Sequence, residues 1–146
     1  MTVIGRERIA ELLPHRDPFL FVDRLIEYSP GESALGEHDV TDSAHWVPGH
    51  FPGRPVMPGV LIAETMAQVA ALVYLTAHPE RAGGGVFLVG FDKLRFRRPV
   101  TPGDTLRVTA TKTRARRRIW CFDVEARVGG NRVADGQLIA TLDLDG

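Results

Sequence analysis

The chain has 146 residues, 44% hydrophobic and 25% charged, and its 18 lysines and arginines balance 18 aspartates and glutamates. Size scaling gives a folded surface of roughly 7,400 Å² against about 23,000 Å² for the open chain, enough burial for one core and too little for two sizeable domains. These figures exclude a disordered chain, a collagen and a disulfide miniprotein; zero net charge argues against nucleic-acid binding driven by overall charge and leaves little self-repulsion to oppose self-association.

Residues 4–13 predict a short amphipathic helix stopped by Pro14. Glu7 and Glu11 interrupt it, so it lacks the basic, apolar and small-residue succession of a secretory signal. Residues 19–28 are apolar and β-rich and are broken by Pro30-Gly31, and residues 32–41 predict a second, weaker strand. Prolines and glycines crowd residues 46–59, which predicts a rigid loop whose backbone course is largely preset. From Gly59 to Leu75 the chain is apolar almost all round, and Pro79 ends the run. Such a helix is normally buried on every side. It is long enough to cross a bilayer, but the Glu64 carboxylate and Gln68 within it favour a buried helix over a membrane span.

Four strand-like runs follow the glycines at 83–85. Leu106, Val108 and Ala110 alternate with polar residues; Trp120, Phe122, Val124, Ala126 and Val128 share one face; Leu138, Ala140, Leu142 and Leu144 alternate again. Period two puts side chains on opposite faces of a sheet. Gly129-Gly130-Asn131 predicts a hairpin turn. The lone cysteine, Cys121, falls in an alternating run and reads as a strand residue; it allows no intrachain disulfide and suits a reducing compartment. The expectation is an α+β fold, a single domain over residues 1–146, in which about five to six mostly antiparallel strands wrap the central helix and bury one sheet face against it.

Three residues stand out chemically. His50 sits in the rigid loop and Glu64 on the apolar helix. A carboxylate in an apolar wall is costly unless partnered, and burial would raise its pKa and favour the neutral acid. A neutral imidazole accepts a proton near neutral pH, so the two form an acid/base pair. The plain alternatives are a glutamate reaching solvent at the helix edge and a structural histidine. Gly59 opens the helix, where backbone N–H groups lack helical acceptors and the dipole is positive, so a carbonyl oxygen placed there would be polarised.

The segments Leu13-Pro14-His15-Arg16, Gly49-His50-Phe51-Pro52-Gly53 with Glu64 and Ala67-Gln68, and Lys93-Leu94-Arg95-Phe96-Arg97-Arg98-Pro99-Val100 with Pro102-Gly103-Asp104 resemble the FabZ-type (3R)-hydroxyacyl-acyl-carrier-protein dehydratases in the same order along nearly the whole chain. The resemblance implies the hot-dog fold, a long helix wrapped by a curved antiparallel sheet. It implies that His50 takes a proton from C2 of a 3-hydroxyacyl thioester, that Glu64 of a partner chain protonates the departing hydroxyl, that the Gly59 N–H polarises the thioester carbonyl, and that the Val56 carbonyl orients the His50 ring. It implies a cytoplasmic homodimer, extended to a trimer of dimers, with no metal or other cofactor, because the phosphopantetheine arm belongs to the substrate. The rival readings are a hot-dog acyl thioesterase and a non-catalytic subunit that binds acyl carrier protein.

Lys93, Arg95, Arg97 and Arg98, together with Arg114, Arg116, Arg117 and Arg118, are candidate docking cations for an acidic carrier protein, against the plainer reading of a solvated hairpin. The run is too short, and lacks a reading module, for nucleic acid. His38, His45 and His50 with Asp39 and Asp42 fit no compact metal-ligand spacing. His15 reads as an anchor for the N-terminal segment and His78 as a helix-end residue.

Overall fold

A computed structural model describes residues 3–142. The elements in chain order are β1 (Ile4–Gly5), α1 (Arg6–Leu12), β2 (Arg24–Ser29), β3 (Ser33–Asp39), α2 (Gly59–Ala77), a 3-10 turn (Pro79–Arg81), β4 (Val86–Phe96), β5 (Thr105–Arg116), β6 (Ile119–Val128) and β7 (Asn131–Leu142). One sheet of seven strands has the order β1-β2-β3-β5-β6-β7-β4, with antiparallel neighbours throughout. The helix α2 packs against β3, β5 and β6 and fills the concave face, which is the hot-dog arrangement.

The strand alternation decides which face is buried. Leu106, Val108 and Ala110 of β5, Phe122, Val124 and Ala126 of β6, and Leu138, Ala140 and Leu142 of β7 point inward and are buried. They meet Met66, Val69, Leu72, Val73 and Leu75 of α2, which are 0% exposed. Gly36 of β3 lets the helix approach closely: a Cβ there would stand 3.0 Å from Val69 Cγ2 and 3.2 Å from Leu25 Cδ2. The apolar tract is therefore the core of the fold and not a membrane segment.

Three local expectations need correction. The first predicted helix begins only at Arg6, because Ile4 and Gly5 pair with Leu25 and Arg24 of β2 and the Gly5 backbone is extended. The strand predicted over residues 19–28 joins a ladder only from Arg24, because the stretch before it is claimed by α2: Gln68 Oε1 accepts from the Phe21 N–H at 2.8 Å and Gln68 Nε2 donates to the Phe19 carbonyl at 2.7 Å. The turn after β6 is Gly129-Gly130 alone, both with positive φ (57° and 84°), and Asn131 already belongs to β7. The sheet has seven strands, more than the sequence pattern predicts. Leu144 lies outside the described residues. Cys121 is a half-buried residue of β6.

The outer face of β2 and β3 carries a charge network that ties on α1. Asp23 accepts from Arg6 at 2.6 Å, from the His38 ring at 3.1 Å and from the Asp39 amide at 2.7 Å, and Arg24 bridges Glu37 and Asp39. Burial pushes the Asp23 carboxyl up, but the His38 and Asp39 hydrogen bonds and the attraction of His38 and Arg6 hold it below its ordinary value. A depressed folded-state pKa adds stability that is full above the ordinary value of 3.8 and is lost as pH falls through it.

Two outcomes follow from this packing. Leu72→Ala should lower the unfolding free energy by about 2–5 kcal/mol in urea titrations followed by circular dichroism, because it opens a cavity in the middle of α2. Asp23→Asn should flatten the loss of stability below pH 4 seen in the parent chain, measured as the urea midpoint at each pH; an unchanged acid limb would show that this carboxylate does not carry it.

Candidate active site

The loop of residues 46–59 is built from turns pinned at several points. The His50 N–H donates to the Trp46 carbonyl at 3.0 Å, Phe51 and Arg54 exchange two backbone hydrogen bonds at 3.1 and 2.8 Å, and the Met57 N–H donates to the Val100 carbonyl at 2.7 Å. Trp46 and Met57 are buried and anchor the two ends. Gly53 takes positive φ (70°) at the turn.

His50 and Val56 are clasped twice. The Val56 N–H donates to the His50 carbonyl at 2.7 Å, and His50 Nδ1 lies 2.6 Å from the Val56 carbonyl. A carbonyl only accepts, so Nδ1 carries the proton and Nε2 carries the lone pair. The ring stacks on Phe51 at 4.1 Å between centroids. His50, Val56 and Gly59 line one open cavity of about 410 Å³, shared with Ile62, Phe96, Arg98 and Val100.

Gly59 is the first residue of α2, after Pro58, which offers no side-chain cap. The first helical hydrogen bonds arise at the Leu61 and Ile62 N–H groups, which both reach the Pro58 carbonyl. Helix geometry leaves the Gly59 amide without a helical acceptor, at the positive end of the dipole. The room made by its missing Cβ is occupied: a Cβ would stand 3.2–3.3 Å from three ring carbons of Phe96, a half-exposed side chain. Sequence reading missed Phe96 because nothing in its spacing marks a ring that folds back from β4 onto a helix start.

Glu64 lies elsewhere. Five residues beyond Gly59 on α2 it points to a different side of the helix, into a cavity of about 160 Å³ lined by His15, Gln68 and apolar side chains of β4 and β7. Glu64 Oε2 lies 3.2 Å from His15 Nε2 and accepts from Gln68 Nε2 at 2.9 Å. Burial pushes this carboxyl up, but the hydrogen bonds from His15 and Gln68 outweigh it and hold the pKa below its ordinary value. The expectation of a neutral acid raised by burial is thus reversed in the single chain, because a buried carboxylate that finds two donors is stabilised in its charged form. His15 is not merely an N-terminal anchor: it touches the helical carboxylate. Gln68, 1% exposed, was legible only as an interruption of the apolar run.

The basic residues divide into two groups. Lys93, Arg95, Arg97 and Arg98 are exposed on and just after β4. Arg97 and Arg98 both line the His50 cavity, and Arg97 is also paired with Asp135. Arg114, Arg116, Arg117 and Arg118 surround the β5–β6 turn. The register aligns Arg116 with Ile119, Thr141 and Phe87, whereas Phe96 aligns with Ala134, Ala126 and Val108, so Arg116–Arg118 and Arg97–Arg98 sit at opposite ends of the sheet, while Arg114, in register with Gly90, lies nearer Lys93. His38 is bonded to Asp23, and His45 lies 6.1 Å from the Phe19 ring. His78 stacks on Tyr74 at 4.7 Å at the end of α2.

Comparison with known proteins agrees with this geometry. The FabA-like domain family matches residues 13–137. Among curated relatives, a protein of Geobacter metallireducens named 3-hydroxyacyl-acyl-carrier-protein dehydratase FabZ is 44% identical over 141 residues, covering 96% of this chain and 94% of that one. Its namesake from Herpetosiphon aurantiacus is 50% identical over 133 residues, covering 91% and 94%. Among solved structures, a chain of the dehydratase heterocomplex ApeI:P from Xenorhabdus doucetiae superposes with a TM-score of 0.79 at 20% identity, covering 94% of this chain and 91% of that one, a likeness of fold. An apolar helix wrapped by its sheet, a histidine loop meeting the helix start, and relatives matched almost end to end lead to one statement: the chain belongs to the FabA-like family and, within it, to the FabZ dehydratases.

Proposed function

We propose that this protein removes water from (3R)-hydroxyacyl thioesters on acyl carrier protein, giving trans-2-enoyl thioesters in fatty-acid or related acyl-chain biosynthesis. The observation that carries the reading is the His50–Val56 clasp, which engages Nδ1 and leaves Nε2 free on a ring that lines the same cavity as Gly59. In this reading the thioester carbonyl accepts from the Gly59 N–H, which acidifies C2 and stabilises the developing enolate. His50 Nε2 takes the C2 proton; the C3–O bond breaks, the leaving oxygen takes a proton from the Glu64 carboxyl, and water departs as C2=C3 forms. Phe96 has to swing away from Gly59 for the thioester to reach the amide. No metal or organic cofactor enters these steps.

The site is completed by a second copy of the chain. Two features support this: Glu64 and His50 line different cavities of one chain, and β4 is a sheet edge carrying half-exposed Phe87, Leu88 and Val89. An unpaired apolar edge is a template for a second strand. The assembly is a homodimer, built up into a trimer of dimers as the family resemblance implies. Cover by the partner and by an acyl chain strengthens desolvation, the influence that raises the Glu64 pKa, and so favours the protonated acid. Arg97 and Arg98, which line the His50 cavity, receive the acidic carrier protein with Lys93 and Arg95 further along β4, and the hairpin arginines contribute only if assembly brings them to a neighbour's entrance. A carrier-bound substrate and one free thiol, Cys121, fit the cytoplasm.

One observation favours a second reading, thioester hydrolysis: Glu64 held as a carboxylate is the form that activates water. Incubation with 3-hydroxyacyl-carrier thioesters separates the two, since elimination gives an enoyl thioester and hydrolysis gives free thiol. The expected product is the enoyl thioester, by mass spectrometry, and thiol release without enoyl product would overturn the proposal. His50→Ala and Glu64→Gln should each lower kcat by about 10²–10⁴-fold with the oligomer intact by light scattering. Arg98→Glu should raise KM for the carrier-bound substrate about three- to tenfold and leave a small thioester unaffected, as removal of a rim cation does.

A further inference from the structure

The cavity around Glu64 contains a group that this reaction scheme does not yet use. His15, which follows α1, places Nε2 3.2 Å from Glu64 Oε2, while its Nδ1 is buried without a hydrogen-bond partner. A proton on Nδ1 would leave a buried N–H unsatisfied, whereas a lone pair there costs far less. The ring proton therefore belongs on Nε2, which faces Oε2 across the 3.2 Å ion-pair contact. Gln68 Nε2–H donates to the same oxygen at 2.9 Å. Gln68 is itself fixed, because its Oε1 accepts from the Phe21 N–H and its Nε2 also donates to the Phe19 carbonyl. His15 is held in turn by Arg16, which donates to the carbonyls of Leu13 and His15 at 3.0 and 2.6 Å.

Both donors fall on one carboxylate oxygen. Gln68 takes one in-plane lone pair of Oε2, and the His15 Nε2 edge lies 3.2 Å from the same oxygen, so both donors crowd Oε2 and leave Oε1 open. A proton taken up by the carboxyl then has one place to go, Oε1. The remaining walls of the cavity are Ala67, Ala71, Val86, Phe87, Leu88, Leu138 and Ala140, so no other charged or titratable side chain lines it from α2, β4 or β7.

We propose that His15 is a positioning residue for the acid: together with Gln68 it occupies Oε2, confines the transferable proton to Oε1 and fixes the carboxyl plane toward the leaving hydroxyl. This rests on the dehydratase reading and adds a residue to it. His15 does not touch the substrate in this scheme and exchanges no proton with it. The Oε1–H bond breaks as the leaving oxygen takes the proton, and the charge left on the carboxylate is held by the two donors on Oε2. A carboxyl lacking the His15 donor rotates, divides its proton between two oxygens and meets the hydroxyl in the wrong plane part of the time.

The test uses the full-length oligomer. His15→Phe keeps a ring and removes the donor; His15→Gln restores a neutral N–H at the reach of Nε2. His15→Phe should lower kcat about 10- to 100-fold with KM within about twofold, and His15→Gln should recover most of it. In protein labelled with ¹³C at glutamate carboxyls, and with the Glu64 signal identified by its loss in Glu64→Gln, the Glu64 titration midpoint should rise in His15→Phe and return toward the parent value in His15→Gln. Full kcat in His15→Phe overturns the proposal, as does an unmoved Glu64 midpoint. Equal loss in both variants with a lowered melting temperature also overturns it, since that is what a purely structural anchor gives. The carboxyl titration needs no turnover. Failure of the parent protein to form any enoyl product would thus count against the dehydratase reading, while an unmoved midpoint would count against His15 alone.

Discussion

The structure depends on one demand of the sequence: a helix of 19 residues, about 28 Å long and apolar over most of its surface, has to be taken largely out of water, Val60 at its start excepted. Here a long antiparallel sheet that packs around the helix does this. The strands β5, β6 and β7 supply the inward Leu, Val, Phe and Ala residues, and Gly36 supplies the space for close approach. Everything polar on the helix then becomes exceptional. Gln68 fastens the extended segment before β2 in place of a strand neighbour, and Glu64 takes its donors from Gln68 and from the loop after α1.

The same burial explains why the chemistry gathers at the helix ends and edges. The start of α2 has to leave amides unpaired, and the pinned loop before it brings a histidine whose tautomer is set by a backbone carbonyl. Neither feature needs a long-range ion pair, so the side of the site proposed to supply the base is fixed by bonds local to its loop. The acid side is different in kind. The Glu64 carboxyl feels desolvation, which favours its neutral form, against His15 and Gln68, which favour its charge and prevail in the single chain. A group pulled both ways responds to whatever covers it, and the covering surfaces in the proposed assembly are a second chain and the acyl group itself.

The alternation of β5, β6 and β7 and the unbroken apolar run of α2 made the fold legible, because each is a periodicity that only one kind of element satisfies. The loop histidine and the helical glutamate were legible as breaches of local rules. What escaped was tertiary: Gln68 drawing residues 19–23 away from a ladder, His15 reaching a carboxylate 49 positions further on, and Phe96 lying on Gly59. The direction of the Glu64 shift was misjudged for the same reason. Burial can be read from an apolar neighbourhood, but the donors that oppose it come from elsewhere in the chain. Likewise the two basic groups look alike along the sequence, and only the strand register reveals that Arg116–Arg118 stand at the opposite end of the sheet from Arg97 and Arg98.

The strand β4 closes the sheet order yet has a neighbour, β7, on one flank only. Along its other flank a row of main-chain donors and acceptors faces outward beside Phe87, Leu88 and Val89. A newly synthesised polypeptide carries that adhesive border from the moment it folds, and in the proposed assembly mating with a second copy competes with indiscriminate sticking. Mating is second order in protomer, so the competition is most dangerous when copies are scarce and foreign surfaces abundant. Abundance of the protein in the cell and its solubility are therefore linked through a single border of the sheet.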